Sequence, residues 1–273
     1  MLKLRKQIER NHYNKQAEEI IKKNYINFDS QYGSKKCGPI LGIPLHFTEE
    51  KMKEIINNKR EEITYLLDYG CGSGIHSIFP AKCGAKVYGI DISQKSIEIA
   101  KEWARREGIE KQTTFLVMDC EKLEFPENFF DIVFNCGTLS CLDRKKAYSE
   151  IIRVLKPNGY FISVDTLGHN PILNLNRKIK LRRGARTQQT FNNILKMEDV
   201  EMATQYFRKP EVYYFNLITL MAIPFQKLPG FNYCGKVLET VDKVLLKLPF
   251  LQKYAFKVVF IFSESEKYGK EIV

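Results

Sequence analysis

The chain offers little for a metal centre, a disulfide framework or a membrane span. It has four histidines, and its seven cysteines, at 37, 71, 83, 120, 136, 141 and 234, include no Cys-x-x-Cys pair. An odd number of thiols, two of them inside apolar runs, suits reduced cysteines in a cytoplasmic protein, and no metal is expected. No window holds the ~18 uninterrupted apolar residues of a spanning helix. The stretch 213–225 is too short, and 244–262 carries Lys247, Lys253 and Lys257. The amino-terminal sequence is charged from its third residue and lacks an apolar core and a small-residue cleavage site, so no secretory leader is expected. Internal repeats and low-complexity tracts are also missing.

Positive charge is in excess, and unevenly placed. The net charge is +11; residues 166–273 hold 17 Lys/Arg against 9 Asp/Glu, and residues 1–165 hold 26 against 23. A basic C-terminal third can meet nucleic acid, anionic lipid or a phosphorylated substrate, or simply be solvated. The hydrophobic fraction of 44% is that of an ordinary globular protein, and 273 residues suit one elaborated domain or a core with a cap.

Residues 4–24 read as a helix, 27–44 as a loop, and 47–58 as a second helix with Thr48 as N-cap. From about Glu61 short apolar runs alternate with helical patterns. Strands are expected at 63–68, 86–91, 114–119, 130–135 and 159–165, with helices at 76–83, 94–107 and 144–155. This alternation predicts an α/β fold whose mostly parallel sheet has helices on both faces, with ligands beyond the carboxyl ends of the strands. Beyond Asp165 a basic stretch, 168–184, precedes a helix at 197–207, a strand at 212–220, an amphipathic helix at 236–248 and a strand at 257–262. The expected units are an N-terminal helical cover (1–60), a core (61–165), and a cap with the last strands (166–273). The amphipathic 236–248 helix is expected to pack on the sheet.

The informative segment is Asp68-Tyr69-Gly70-Cys71-Gly72-Ser73-Gly74, directly after a strand and before a helix. Its glycines permit a sharp turn and close approach of backbone to a ligand, and the helix that follows is expected to aim free N–H groups at it. A second strand ends at Asp91, placed to accept hydrogen bonds from ribose hydroxyls. A dinucleotide fingerprint requires Gly or Ala at position 75, which is Ile. The D-x-G-x-G-x-G spacing instead resembles motif I of the class I S-adenosylmethionine-dependent methyltransferases. Met118-Asp119-Cys120 and the 130–137 segment resemble later motifs of that family, and Arg153-Val154-Leu155-Lys156-Pro157-Asn158-Gly159 resembles the helix-to-fifth-strand turn of its small-molecule methyltransferases, including the quinone-methylating type. The resemblance covers about 105 residues, in order.

That resemblance implies a Rossmann-like seven-stranded sheet with a cap inserted after the fifth strand, and S-adenosyl-L-methionine as cofactor, converted to S-adenosyl-L-homocysteine. It places Gly70, Cys71, Gly72 and Gly74 beneath the cofactor, with Asp68 bracing their loop. Asp91 and Ile92 fall at the ribose, Asp119 and Cys120 at the adenine, and Asn135 near the methionine moiety. Asp119 also suits a turn cap, and His76 suits packing. The fourth strand ends in Asn135-Cys136-Gly137-Thr138, without the Asn/Asp-Pro-Pro-aromatic signature of amino-group methylation.

An O-directed transfer benefits from a general base within about 2.6–3.2 Å of the acceptor proton. His169, following the fifth strand, is the first candidate as base or acceptor-binding group, with Asp165 orienting it or the substrate; otherwise His169 holds its own loop. His12 and Tyr13 come second, because relatives fold an N-terminal helix over the cofactor. The chain also resembles bacterial methyltransferases with Gly-His-Asn-Pro after the fifth strand and a later Arg-Thr, here 168–171 and Arg186-Thr187. The acidic residue expected soon after Arg-Thr is replaced by Gln188-Gln189. The six basic residues of 177–186 can bind an anionic substrate group, RNA or lipid headgroups, or form a solvated loop. The expected partner is a small-molecule, glycan or lipid-linked acceptor, with peripheral membrane contact open and nucleic acid disfavoured for want of a recognisable module. An RNA methyltransferase and a non-catalytic cofactor-binding protein are the alternatives.

Overall fold

The computed structural model describes residues 2–22, 38–59, 62–225 and 231–265. Cys37, Glu61 and most of the loop expected at 27–44 lie outside the described residues, as does the boundary at 60/61.

The sheet has seven strands: β1 Tyr65–Tyr69, β2 Lys86–Asp91, β3 Thr113–Val117, β4 Phe130–Cys136, β5 Leu155–Thr166, β6 Phe207–Phe215 and β7 Lys257–Ser265. Their order is β3-β2-β1-β4-β5-β7-β6. Neighbours from β3 to β5 pair in parallel, and β7 runs antiparallel to both β5 and β6. The chain first winds outward from β1 to β3, then returns to lay β4 on the other side of β1. The carboxyl ends of β1 and β4 therefore flank the reversal of strand order, where this architecture opens a crevice.

Strand residues divide by parity between two cores, as a two-residue repeat requires. Leu67, Val133, Phe161, Val258 and Phe260 pack with Tyr148 and Ile151 of helix α6 (Arg144–Val154) and with Val200 of α9 (Met197–Thr204). Leu66, Ile132, Ile162 and Val259 pack with α3 (Ile43–Asn58, which follows the single turn α2, Gly38–Leu41), α4 (Ile78–Lys82) and α5 (Gln94–Arg106), through Met52, Ile78 and Trp103. Both faces are thus covered, which is why the central strands read as apolar runs.

Several local expectations need correction. Thr48 lies buried within α3 and donates to the Leu45 carbonyl at 2.8 Å; the helix starts earlier, with Pro44 in its first turn. The basic stretch forms α7 (Pro171–Arg182), because Asn170 accepts from the Ile172 and Leu173 amides ahead of Pro171. Helix α8 (Gln188–Asn192), capped by Thr187, follows it. The strand expected at 212–220 stops at Phe215, since Asn216 adopts φ 61°, and 219–225 forms a 3-10 helix. Helix α10 (Phe231–Leu245) begins ahead of Lys236 and buries Asp242, not its main apolar stripe.

Candidate functional site

The glycine loop leaves β1 at the reversal point. Gly70 has φ +75°, and a Cβ there would lie 2.2 Å from Thr138 Oγ1, so the loop and the turn after β4 are in contact only because this residue has no side chain. Gly72 has φ +52°, and a Cβ there would meet no atom within 4 Å, which leaves bare backbone facing open space. Beneath the loop, buried Asp68 accepts from Ser77 Oγ at 2.5 Å, and burial raises its pKa to about 6. The helix after the loop begins only at Ile78, and the Gly74 and Ser77 amides are used in intervening turns, to the Cys71 and Gly74 carbonyls. The expected fan of free helical N–H groups is therefore not formed by these two. His76 packs edge-on against Phe134 at 5.9 Å.

Asp91 stands opposite. Its Oδ2 accepts from the Gly72 amide at 3.0 Å and its Oδ1 from the Ser93 amide at 2.8 Å, which locks the β2 carboxylate to the glycine loop. Each carboxylate oxygen can accept a further donor. Burial raises the Asp91 pKa. At the end of β3, Asp119 caps its own turn through the Glu121 amide at 2.9 Å, and the Cys120 carbonyl accepts from Tyr69 Oη at 2.5 Å.

Helix α1 (Leu2–Lys22) roofs this crevice. Arg5 pairs with Glu121, and Lys6 pairs with Asp119 and, at 3.1 Å, with Glu121. Asn14 Oδ1 accepts from Ser93 Oγ at 2.7 Å. Glu9 is buried; its Oε1 accepts from Thr187 Oγ1 at 2.7 Å, and its Oε2 has no hydrogen-bond partner among the described residues. Thr187 contacts Thr190 at 2.8 Å, Thr190 contacts Cys141 Sγ at 3.6 Å, and Cys141 contacts Tyr13 Oη at 3.1 Å.

These groups enclose a cavity of about 190 Å³, lined by both signs of charge. Of the sequence-derived cofactor residues, Gly70, Gly72, Asp91, Ile92, Asp119 and Cys120 line it. Asp68, Cys71 and Gly74 lie in or beneath the loop without lining it. Asn135 and Asp165 stand behind the wall: Asn135 Nδ2 donates to Asp165 Oδ2 and to Ser163 Oγ, each at 2.8 Å, while its Oδ1 accepts from the Thr138 amide. Burial raises Asp165 to about 6.

Among the catalytic candidates only Tyr13 lines the cavity. His12 contacts Gln16 at 2.9 Å. His169 lies elsewhere, its Nε2 accepting from the Met197 amide at 3.1 Å, which occupies the lone pair a base would use. That bond holds the loop to the start of α9, and Asp165 is bonded to Asn135 and Ser163, not to His169. Sequence reasoning missed Arg5 and Glu9. The signal was present: positions 5, 9 and 13 recur every four residues, the spacing of one helix face. Also missed were Cys136, Gly137, Thr138 and Cys141, which reach the cavity because Gly137, at φ +82°, turns the chain after β4.

A sheet in this order, with a glycine loop and a β2 carboxylate locked together at its reversal point, defines the nucleoside-binding α/β domain of class I methyltransferases. Residues 67–163 match the methyltransferase domain family, and the chain carries an S-adenosylmethionine-dependent methyltransferase domain of class I. A sterol 24-C-methyltransferase of Gibberella zeae is 34% identical over 137 residues, 49% of this chain and 36% of that protein. The chain spans less than half the length of the sterol methyltransferases it matches. Phosphoethanolamine N-methyltransferase 2 of Haemonchus contortus, solved with S-adenosyl-L-methionine, superposes with a TM-score of 0.54 at 21% identity, over 80% of this chain and 53% of that one. The [4+2]-cyclase SpnF shares the fold at a TM-score of 0.52 and 18% identity, over 86% of each chain. The residues present fit the class cofactor: open backbone at Gly72, acceptor capacity at Asp91, and a cavity wall running from Asp119–Cys120 to Gly70.

Proposed function

We propose that the protein transfers the methyl group of S-adenosylmethionine to a hydroxyl of a small, largely apolar acceptor, with Glu9 taking the acceptor proton. Bound in the crevice, the cofactor supplies an electrophilic methyl on a sulfonium centre. Asp91 and Gly72 would hold its ribose, Asp119 and Cys120 its base, and Gly70 would underlie its methionine end. Helix α1 shields the site from water, which favours a short, aligned approach of acceptor to methyl.

The observation that carries the reading is the Glu9 carboxylate: one oxygen is fixed by Thr187 and the other is unpartnered in a group that lines the cavity. Tyr13 is not a competing base, because burial raises its pKa well above the ordinary value and its phenol stays protonated. Glu9 also supplies, from α1, an acidic partner for Thr187, where Gln188-Gln189 follow in sequence.

A second reading draws support from the sterol C-methyltransferase relatives. Methyl addition to an electron-rich carbon leaves positive charge on the acceptor, and the same carboxylate would stabilise it. The test is turnover with labelled cofactor against apolar alcohols, sterols and isoprenoids, comparing wild type with E9Q. We expect E9Q to bind cofactor normally and to lose 10²–10⁴-fold in kcat. Wild-type turnover by E9Q removes Glu9 from either role, and methylation confined to RNA removes the small-molecule reading.

A further inference from the structure

Two helices outside the cofactor crevice each carry an apolar strip that no described residue covers. The inward side of α10 holds Phe231 and Leu238, packed with Ile40 and Ala222, and Asp242, which accepts from the Leu217, Ile218 and Thr219 amides at 2.8–3.3 Å and from Thr219 Oγ1 at 2.7 Å. Tyr233, Val237, Val241 and Val244 share the opposite side of the helix; with Leu248 and Phe250 just beyond it they are 38–78% exposed among the described residues. At 100° per residue these four helical positions fall within one arc of about 80°, and Lys236 and Lys243 lie together on its flank. Lys247, also exposed, continues that flank past the helix end.

Helix α7 repeats the pattern. Its inward residue is Arg177, buried, with Nη2 donating to the Leu167 carbonyl and Nη1 to Asn174 Oδ1, each at 2.8 Å. Ile172, Leu175 and Ile179 form the outward strip, 41–77% exposed, and exposed Lys178, Arg182 and Arg183 border it on both sides. Asn170 Nδ2 donates to the Tyr254 carbonyl at 3.1 Å, which ties the start of α7 to the chain just beyond Leu248 and Phe250.

We infer that the α7 and α10 strips form a docking surface for an anionic lipid bilayer. Each strip presents aliphatic or aromatic side chains to the acyl boundary while long cationic side chains at its border reach the headgroups. The charge fits that partner and disfavours a second copy, because a symmetric pairing of either strip brings like lysines and arginines together. No described helix is long and apolar enough to cross a membrane, so the contact is peripheral. Helix α8, which packs on α7, supplies the threonines that hold Glu9 and Cys141, so a seated α7 brings the cavity wall near the bilayer. Docking does not depend on the methyl-transfer reading.

The experiment is flotation of the full chain with phosphatidylcholine vesicles, with and without phosphatidylglycerol, over a salt series. Wild type should partition to the anionic vesicles and release as salt rises. The triple variants I172S/L175S/I179S and V237S/V241S/V244S change exposed positions; each should weaken partition about tenfold or more. K236A/K247A should weaken it about fivefold per lysine on anionic vesicles only. Cofactor affinity, unchanged in every variant, confirms folding. The inference is overturned if wild type ignores anionic vesicles, or if the serine variants bind them as wild type does. It is equally overturned if carbene footprinting of the lipid-free protein leaves the side chains of both strips unlabelled, which assigns their cover to the chain itself. A concentration-dependent dimer abolished by either serine triple would assign them to a second copy.

Discussion

Asp68 and Asp165 are acids held in the core, each with a pKa raised by burial from the usual carboxylate value to about 6. A raised carboxyl binds its proton more tightly folded than unfolded, so its contribution to stability is greatest at low pH and falls as pH rises from about 4 to 6. The cost of ionising each is ~3 kcal/mol. In D165N an amide oxygen can still accept from Asn135 and Ser163, but nothing titrates. Urea denaturation at pH 4 and pH 7 should show D165N gaining up to ~3 kcal/mol on wild type across that interval; parallel pH profiles would show that Asp165 ionises freely. Asp91 makes a different prediction. D91A removes a carboxylate from the cavity and the acceptor of the Gly72 amide, and calorimetric titration should give about 10–100-fold weaker binding of S-adenosylmethionine. Gly70 carries the most local constraint: G70A combines a positive φ with a clash against Thr138 and should cost ~2–3 kcal/mol by denaturation.

At the scale of elements, the two roofing and flanking helices show how far periodicity reads and where it stops. A stripe at 5, 9 and 13 is visible in α1, but its partners, Glu121, Thr187 and Cys141, lie more than a hundred residues away. In α10 the apolar period is strong, and the pattern alone predicts burial of the valines. The structure buries Asp242 because the turn at 217–219 needs an acceptor for several amides at once. D242A should therefore destabilise by ~2–4 kcal/mol, as buried donors lose their acceptor. V241S should stay within ~0.5 kcal/mol of wild type, as for an exposed site. The reverse ranking would mean that the valine stripe, not the carboxylate, anchors the helix. The same logic explains the basic stretch at 177–186. Read as charge alone it suggests a ligand site or a solvated loop; in three dimensions its first arginine is a buried tether for the Leu167 carbonyl, Lys178, Lys180 and Arg182 lie on the same helix, and Arg183 and Arg186 follow its end.

Over the whole molecule, the sheet and the crevice form one unit that cofactor binding should stabilise. Saturation at about 100 times Kd adds ~2.7 kcal/mol, so Tm should rise by roughly 5 °C with S-adenosylmethionine or its demethylated product and not with nicotinamide dinucleotides. A matching rise with a dinucleotide alone would overturn the assignment of the glycine loop. The sequence by itself determined the succession of core strands and helices, the turn after β1 and the carboxylate at the end of β2. These are encoded locally, in the alternation of apolar runs, the spacing of three glycines and the polar residues that end strands. Only the tertiary structure decided that Glu9 faces the cavity while His169 holds a loop, and that α7 and α10 turn charged or acidic residues inward. Those outcomes rest on hydrogen bonds and packing between distant segments, whose partners leave no period in either segment alone.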